Sequence, residues 1–313
     1  MVAKSDELTD LADEFALVGE LAAESGIAAS STLPRVRRGW VNVPTGGHVS
    51  GVFWGDGPPE LVFLHDVAES ARAWDAVALA AGRPSVAIDL PGHGRSDWRR
   101  DGRYEPGKLA PAVAEAIRSF APRARLVAGT GLGGLTAIAL HRRNPRLVAQ
   151  LALVDTLPVT RRDQAHDVTG RQASESPERF ASREEALAVL ASRRPERGRQ
   201  ALRREVRYEL LRDPDGSWGW RHHPGNLPAG VNAGPADDAL WDELARFSSP
   251  VALIRGDWGG PLAASDLAAL RQRVPQARVT TIPGTGADIV ATQPAALAAA
   301  LGQLLTTGPV RPS

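Results

Sequence analysis

Short apolar runs recur along this chain, separated by longer stretches with helical spacing. Leu61-Val62-Phe63-Leu64, Val86-Ala87-Ile88, Leu126-Val127-Ala128, Leu151-Ala152-Leu153-Val154 and Leu253-Ile254 lack the alternation of a half-exposed strand. They read as strands of a parallel sheet buried on both faces. Leu132 to Leu140 is a good helix former that ends near Asn144-Pro145. From Arg37 onward the order is strand, strand, strand, helix, strand, helix, strand, helix, strand, a long polar and helical interval, then strand, helix, strand, helix. That order predicts an α/β fold, a doubly wound, mostly parallel sheet with an inserted helical cap. The expected divisions are an N-terminal helical extension over 1–34, a core over 35–156 and 246–308, a cap or lid over 157–245, and a tail over 309–313.

One turn between a strand and a helix carries chemistry. Gly129-Thr130-Gly131-Leu132-Gly133-Gly134 follows the run at 126–128, and its glycine spacing matches a nucleophile elbow, G-x-S-x-G, with glycine in place of serine. The third residue of such an elbow sits in a strained backbone conformation that aims its side chain above the sheet. Gly131 adopts that backbone without steric cost and has no atom to attack with.

With His65-Asp66 after one strand and Asp89-Leu90-Pro91-Gly92-His93-Gly94-Arg95-Ser96 after the next, the chain resembles the α/β-hydrolase superfamily, in particular its capped bacterial members, from about Arg37 to Leu305. The resemblance implies that a histidine should follow the last core strand. Pro283-Gly284-Thr285-Gly286-Ala287-Asp288 has alanine there. It also implies an acid three residues beyond Gly256, which is Gly259, with Asp257 two residues early; some relatives take the acid from the end of the strand before the cap, here Asp155. Gly131, Ala287 and Gly259 are thus the degenerate triad positions. A triad needs one group to attack and another to take its proton, and glycine and alanine do neither. Two backbone amides remain as oxyanion donors by position, Val67 and Leu132. Asp66 stands beside them where the superfamily has glycine; turned inward it is a candidate acid or base, and turned outward it caps the loop.

Asp66, Asp155 and Asp288 are therefore the candidate acid/base groups. His65, Thr130, Trp218, Trp220 and Trp258 are expected around the pocket, although His65 and His93 belong to structural loops in the superfamily pattern. Of His222-His223, at most one faces inward if the stretch is extended. Thr130, one residue from the elbow tip, should point away from the cavity.

Composition narrows the rest. A formal net charge of +1 offers no reason for nucleic-acid or membrane partners. The chain has no cysteine, which excludes disulfides and thiolate chemistry. The seven histidines lack the pairing of a zinc site, and the Gly129-x-Gly131-x-Gly133 echo of a dinucleotide fingerprint lacks its acidic partner, so neither cofactor nor metal is expected. Without a recognisable secretory start or an apolar span of about 18 residues, a cytoplasmic protein is expected. Ser5 to Glu24 reads as a helix with Leu8, Leu11, Phe15, Val18 and Ala22 on one face and Asp6, Glu7, Asp10, Asp13 and Glu14 on the other. It either docks on its own domain or mediates a homodimer. In the cap, Arg193, Arg194, Arg197, Arg199, Arg203, Arg204 and Arg207 alternate with Glu178, Glu184, Glu185, Glu196, Glu205 and Glu209, the pattern of solvated helix faces.

Three functions fit. The leading expectation is a cofactor-free, non-hydrolytic enzyme of lyase, isomerase or cyclase type, in which carboxylates move protons on a small organic molecule held in the capped pocket. The alternatives are a ligand-binding pseudoenzyme or receptor, and an atypical hydrolase in which Thr130 attacks or a carboxylate activates water.

Overall fold

The computed structural model describes residues 14–25, 33–158, 179–193, 198–223, 238–258, 260–286 and 288–307. In chain order the core elements are α1 (Val18–Glu24), β1 (Val36–Asn42), β2 (His48–Trp54), β3 (Leu61–Leu64), α2 (Asp75–Ala81), β4 (Ser85–Ile88), α3 (Pro106–Phe120), β5 (Leu126–Thr130), α4 (Gly131–His141) and β6 (Leu151–Val154). The described part of the cap follows, as β7 (Arg179–Phe180), α5 (Arg183–Arg193), α6 (Arg199–Glu209), β8 (Leu210–Arg212) and β9 (Trp218–Trp220). The chain then continues through α7 (Asp238–Ala245), β10 (Val251–Gly256), α8 (Ala264–Arg273), β11 (Arg278–Ile282), α9 (Ile289–Thr292) and α10 (Pro294–Thr307).

Among the described residues the main sheet has the order β1-β2-β4-β3-β5-β6-β10-β11. β1 and β2 pair antiparallel, β2 joins β4 antiparallel, and the remaining pairs are parallel. The uninterrupted apolar runs have a direct cause. Leu61 and Phe63 of β3 face one helical layer, which holds Leu297, Leu301 and Leu305 of α10, while Val62 and Leu64 face the other, which holds Leu109, Val113 and Ile117 of α3. With both faces covered, no position of these strands needs a polar side chain. The parallel strands all end on the side where β3, β5, β6 and β10 hand over to loops, which is where an open α/β sheet builds its sites. The cap strands form their own three-stranded sheet, β7-β9-β8, packed with α5 and α6 around Phe180, Leu190, Leu202 and Leu210.

The N-terminal segment departs from its sequence pattern. Residues before Glu14 lie outside the described residues, and helix covers Val18–Glu24. Val18, Leu21 and Ala22 join the core layer beneath α2 and α10. Glu14, placed by periodicity on the solvated acidic face, is only 4% exposed because Arg38 of β1 reaches it at 2.9 Å. No helix of the described residues is long and apolar enough to cross a membrane.

Candidate active site

The elbow is built as tightly as its glycines require. Thr130 ends β5 in an extended conformation, and Gly131 opens α4 with φ +42°. A Cβ on Gly129 would lie 2.6 Å from the Gly134 nitrogen, and one on Gly133 would lie 2.6 Å from the His65 carbonyl oxygen. Those two positions exclude any side chain, so β3, β5 and α4 meet at backbone distance. The Gly131 amide donates to Thr156 Oγ1 at 2.6 Å, and that hydroxyl donates to the Val154 carbonyl at 2.8 Å.

The loop after β3 is fixed by His65. The Leu90 amide donates to His65 Nε2 at 2.9 Å, so Nε2 is the acceptor and Nδ1 carries the proton that it donates to the Asp66 carbonyl at 2.6 Å. Burial pulls this imidazole down to about 4, against a weaker pull upward from Asp89. Neutral, fully buried and bonded through both nitrogens, His65 holds the loop beneath the site.

That loop delivers Asp66 inward, not outward as a cap. Asp66 Oδ1 accepts the Val67 amide at 2.7 Å and the Leu132 amide at 2.8 Å. These are the two amides that the resemblance assigned to an oxyanion. A Cβ at residue 131 would overlap the Asp66 carboxylate group. One carboxylate thus fills the volume of an elbow side chain and engages both donors beside it. The Asp66 amide in turn donates to Glu69 Oε2 at 3.1 Å.

Asp155 follows β6 with φ +46°, and Asp288 precedes α9 with φ +63°. Non-glycine residues in the left-handed region carry strain of the sort that gathers at sites. Asp155 Oδ1 accepts the Gly256 amide at 3.2 Å, while Oδ2 is buried without a hydrogen-bond partner. Burial pushes the Asp155 carboxyl up to about 6, and the charge of Asp288 adds to the rise against the Gly256 amide and Arg255. Asp288 caps α9 by accepting the Ala291 amide at 3.3 Å. Asp257 accepts the amides of Gly284 at 2.9 Å and Thr285 at 3.1 Å, bracing the loop after β11. Gly259 and Ala287 lie outside the described residues.

The other candidates have structural surroundings. His93 is fully buried, with Nδ1 3.2 Å from the Pro91 carbonyl and its ring edge-on to His65 at 5.1 Å. Of the adjacent pair, His222 turns inward and stacks on Trp220 at 5.7 Å, with burial pulling it down to about 4. His223 meets the Trp98 ring at 4.6 Å. Trp218 lies under the Arg183 guanidinium at 4.1 Å and Trp220 packs on Phe180 at 5.7 Å, so both contribute to the packing of the cap. Trp258 is 65% exposed. A cleft of about 350 Å³ borders α3, the end of α4 and α7, with Ala110, Arg143 and Leu240 among its lining; Asp66 and Gly131 are not part of it.

Two buried residues escape the sequence pattern. Thr156 positions the Gly131 amide, and nothing in its spacing marks it. Glu209, grouped with the solvated cap charges, is 6% exposed and accepts the Ser70 hydroxyl; burial pushes it up to about 8. Among the described residues no group of three His, Asp or Glu is arranged to hold a metal ion.

The model of the "Alpha/beta hydrolase family" matches residues 61–300. The chain is 37% identical over 297 residues to "Esterase Rv0045c" of Mycobacterium tuberculosis, covering 93% of this chain and 95% of that protein. It is 29% identical over 231 residues to "Lipase LipV" of the same organism, covering 70% of this chain and 82% of that protein. A solved structure of the M. tuberculosis esterase Rv0045c superposes with a TM-score of 0.80 at 34% identity, over 94% of this chain and 99% of that one. These likenesses overturn the leading expectation of a lyase, isomerase or cyclase. Proteins named as esterase and lipase match nearly the whole chain or most of it, which favours the hydrolase alternative over that expectation.

Proposed function

This chain belongs to the alpha/beta hydrolase family, and we propose that it hydrolyses carboxylic esters without a seryl intermediate, through water activated by Asp66. The observation that supports this reading is the Asp66 carboxylate on the amides of Val67 and Leu132, in the space that Gly131 leaves empty. An ester carbonyl oxygen exchanges with Oδ1 at the two amides, since both are oxygen acceptors of similar reach. Once displaced, the carboxylate loses two donors that favour its charged form, and its proton affinity rises. Water in the side-chain-free space beside Gly131 then attacks the carbonyl carbon while its proton passes to Asp66. The tetrahedral oxyanion is held by the two amides. Collapse breaks the bond to the alkoxide, which takes the proton back from Asp66 and leaves as alcohol, with the acid as second product.

Each part has a known scale. A positioned base contributes about 10²–10⁴-fold, and one oxyanion donor about 10²–10³-fold. The test is turnover of p-nitrophenyl esters by the wild type and by Asp66→Asn, which keeps the acceptor oxygen and removes the base. The expected result is measurable wild-type turnover, a loss of about 100-fold or more in the variant, and no acyl adduct in the intact mass. Equal rates in the two proteins refute the proposal.

The same hydrogen bonds favour one second reading, a ligand-binding pseudoenzyme whose own carboxylate blocks the donors. It predicts wild-type turnover at the buffer background together with retention of an unchanged ester.

A further inference from the structure

The cap and the loop after β3 meet at a buried polar contact. Glu209, the last residue of α6, is 6% exposed, and its Oε1 accepts the hydroxyl of Ser70, which is 1% exposed. Glu209 Oε2 is buried without a hydrogen-bond partner. An apolar residue would pack between cap and core at lower cost than a carboxyl group with one oxygen unmatched. What Glu209 adds beyond volume is an acceptor for Ser70.

Ser70 belongs to the loop that carries Asp66 and the Val67 amide. At its start the loop is held by His65, whose Nδ1 donates to the Asp66 carbonyl at 2.6 Å. At its end Ser70 Oγ accepts the Arg72 amide at 3.2 Å and donates to Glu209, while the Ala71 amide donates to Asp89 at 2.7 Å. The Ala71 anchor is set by the core, and the Ser70 anchor is set by the cap. Between the two ends Ala68 holds φ +60°. A non-glycine residue keeps that left-handed backbone only where its surroundings over-determine it. Release at Ser70 gives the strain a way out through the neighbouring peptides, and the Val67 amide is one residue away.

We propose that Glu209 is a positioning residue: by accepting the Ser70 hydroxyl it lets the seated cap hold the Val67 amide in its donor orientation, so that the Val67 and Leu132 pair is complete only while the cap is closed. The proposal rests on the ester-hydrolysis reading, in which those amides hold the oxyanion. Burial pushes the Glu209 carboxyl up to about 8 against the Ser70 hydrogen bond; Asp89 of the core and Glu205 of the cap add to the rise, and Arg221 opposes it. Ionisation strengthens the single hydrogen bond but places a charge in buried space beside Asp89 and Glu205. The relief is exposure to water, which unseats the cap from the loop.

The test compares the wild type, Glu209→Ala and Glu209→Gln in p-nitrophenyl ester kinetics and in amide hydrogen exchange read by mass spectrometry. Glu209→Ala should lose about 100-fold in kcat, the scale of one oxyanion donor, with KM little changed and with faster exchange in the peptide over 66–70 but not in β3 or β4. Glu209→Gln, which keeps the acceptor and cannot ionise, should restore most of both. Above about 8 the wild-type kcat should fall after correction for background hydrolysis, and the Gln variant should not follow it. Full kcat in Glu209→Ala overturns the proposal, as does a loss of kcat with unchanged exchange over 66–70 or one that Gln does not restore. If Glu209→Ala does not fold, the pH profiles of the wild type and Glu209→Gln decide. If the wild type turns over no ester, the hydrolysis reading fails, and the exchange over 66–70 decides by itself whether Glu209 holds the loop.

Discussion

Asp66 and Asp89 each follow a parallel strand of the core, on the same side of the sheet, yet they are held in different ways. Asp89 is fully buried. Burial alone would raise it, but Arg38 and the Ser50 hydroxyl, with the Ala71 amide at 2.7 Å, hold its carboxyl down at about 2. Asp66 is half-buried and its Oδ1 sits on two backbone amides. A carboxylate matched to a buried guanidinium is locked, because removing it strands a charge. A carboxylate on amide donors can be replaced by any other oxygen of suitable placement. The first arrangement locks an acid into the fold, and the second leaves two backbone donors that another oxygen can engage.

The sharpest break in this comparison should come from Asp89→Asn. It removes one of the two buried carboxylates that Arg38 engages, with Glu14 left as the other, and should cost about 3–5 kcal/mol in urea unfolding. Asp66→Asn should instead leave stability within about 1 kcal/mol while ester turnover falls about 100-fold. If both variants lose stability equally, the two aspartates do the same job.

A finer test concerns the shared volume. Gly131→Ser alone forces a side chain into the Asp66 carboxylate at a positive φ and should cost about 1–3 kcal/mol. Combined with Asp66→Gly, the penalty should shrink, giving a coupling of about 1 kcal/mol or more in a double-mutant cycle. Additive penalties would mean that the two residues do not compete for space.

The smallest effect expected is a pH dependence at Glu209. Its folded value of about 8 lies above the ordinary 4.5, so the folded state holds a proton that the unfolded state has released. The stability this gives is complete below about 4.5 and is lost as pH rises toward 8. Glu209→Gln should therefore gain on the wild type between those limits, by about 2–4 °C in melting point at pH 8. The buried His65 and His222 act in the opposite sense, losing stability as pH falls from 6.5 toward 4, and they do so equally in both proteins. A constant difference across the range would show that Glu209 ionises normally.

Much of this architecture was legible in the chain. Runs such as Leu61–Leu64 and Leu151–Val154 contain no polar residue because two helical layers cover them, and Gly129 and Gly133 mark an approach too close for any side chain. The resemblance put the amides of Val67 and Leu132 side by side, and both donate to Asp66 Oδ1. The direction of Asp66 was not legible, since it depends on Leu132, 66 residues away. Glu14 and Glu209 were misread for the same reason. Periodicity assigned both to solvent, whereas Arg38 and Ser70, distant in sequence, bury them. The leading functional expectation was overturned, because the absence of a recognisable serine and histidine signature was weighed above the hydrolase alternative, which the likeness to proteins named as esterase and lipase favours.

The most direct measurement is a crystal structure with a ketone isostere of an ester, which offers a carbonyl oxygen and cannot be hydrolysed. Exchange at the amides predicts the ketone oxygen within about 3 Å of the Val67 and Leu132 nitrogens, with the Asp66 carboxylate displaced beside the carbonyl carbon. A ketone bound elsewhere while Asp66 Oδ1 stays on both amides would contradict the exchange and leave Asp66 as a plug.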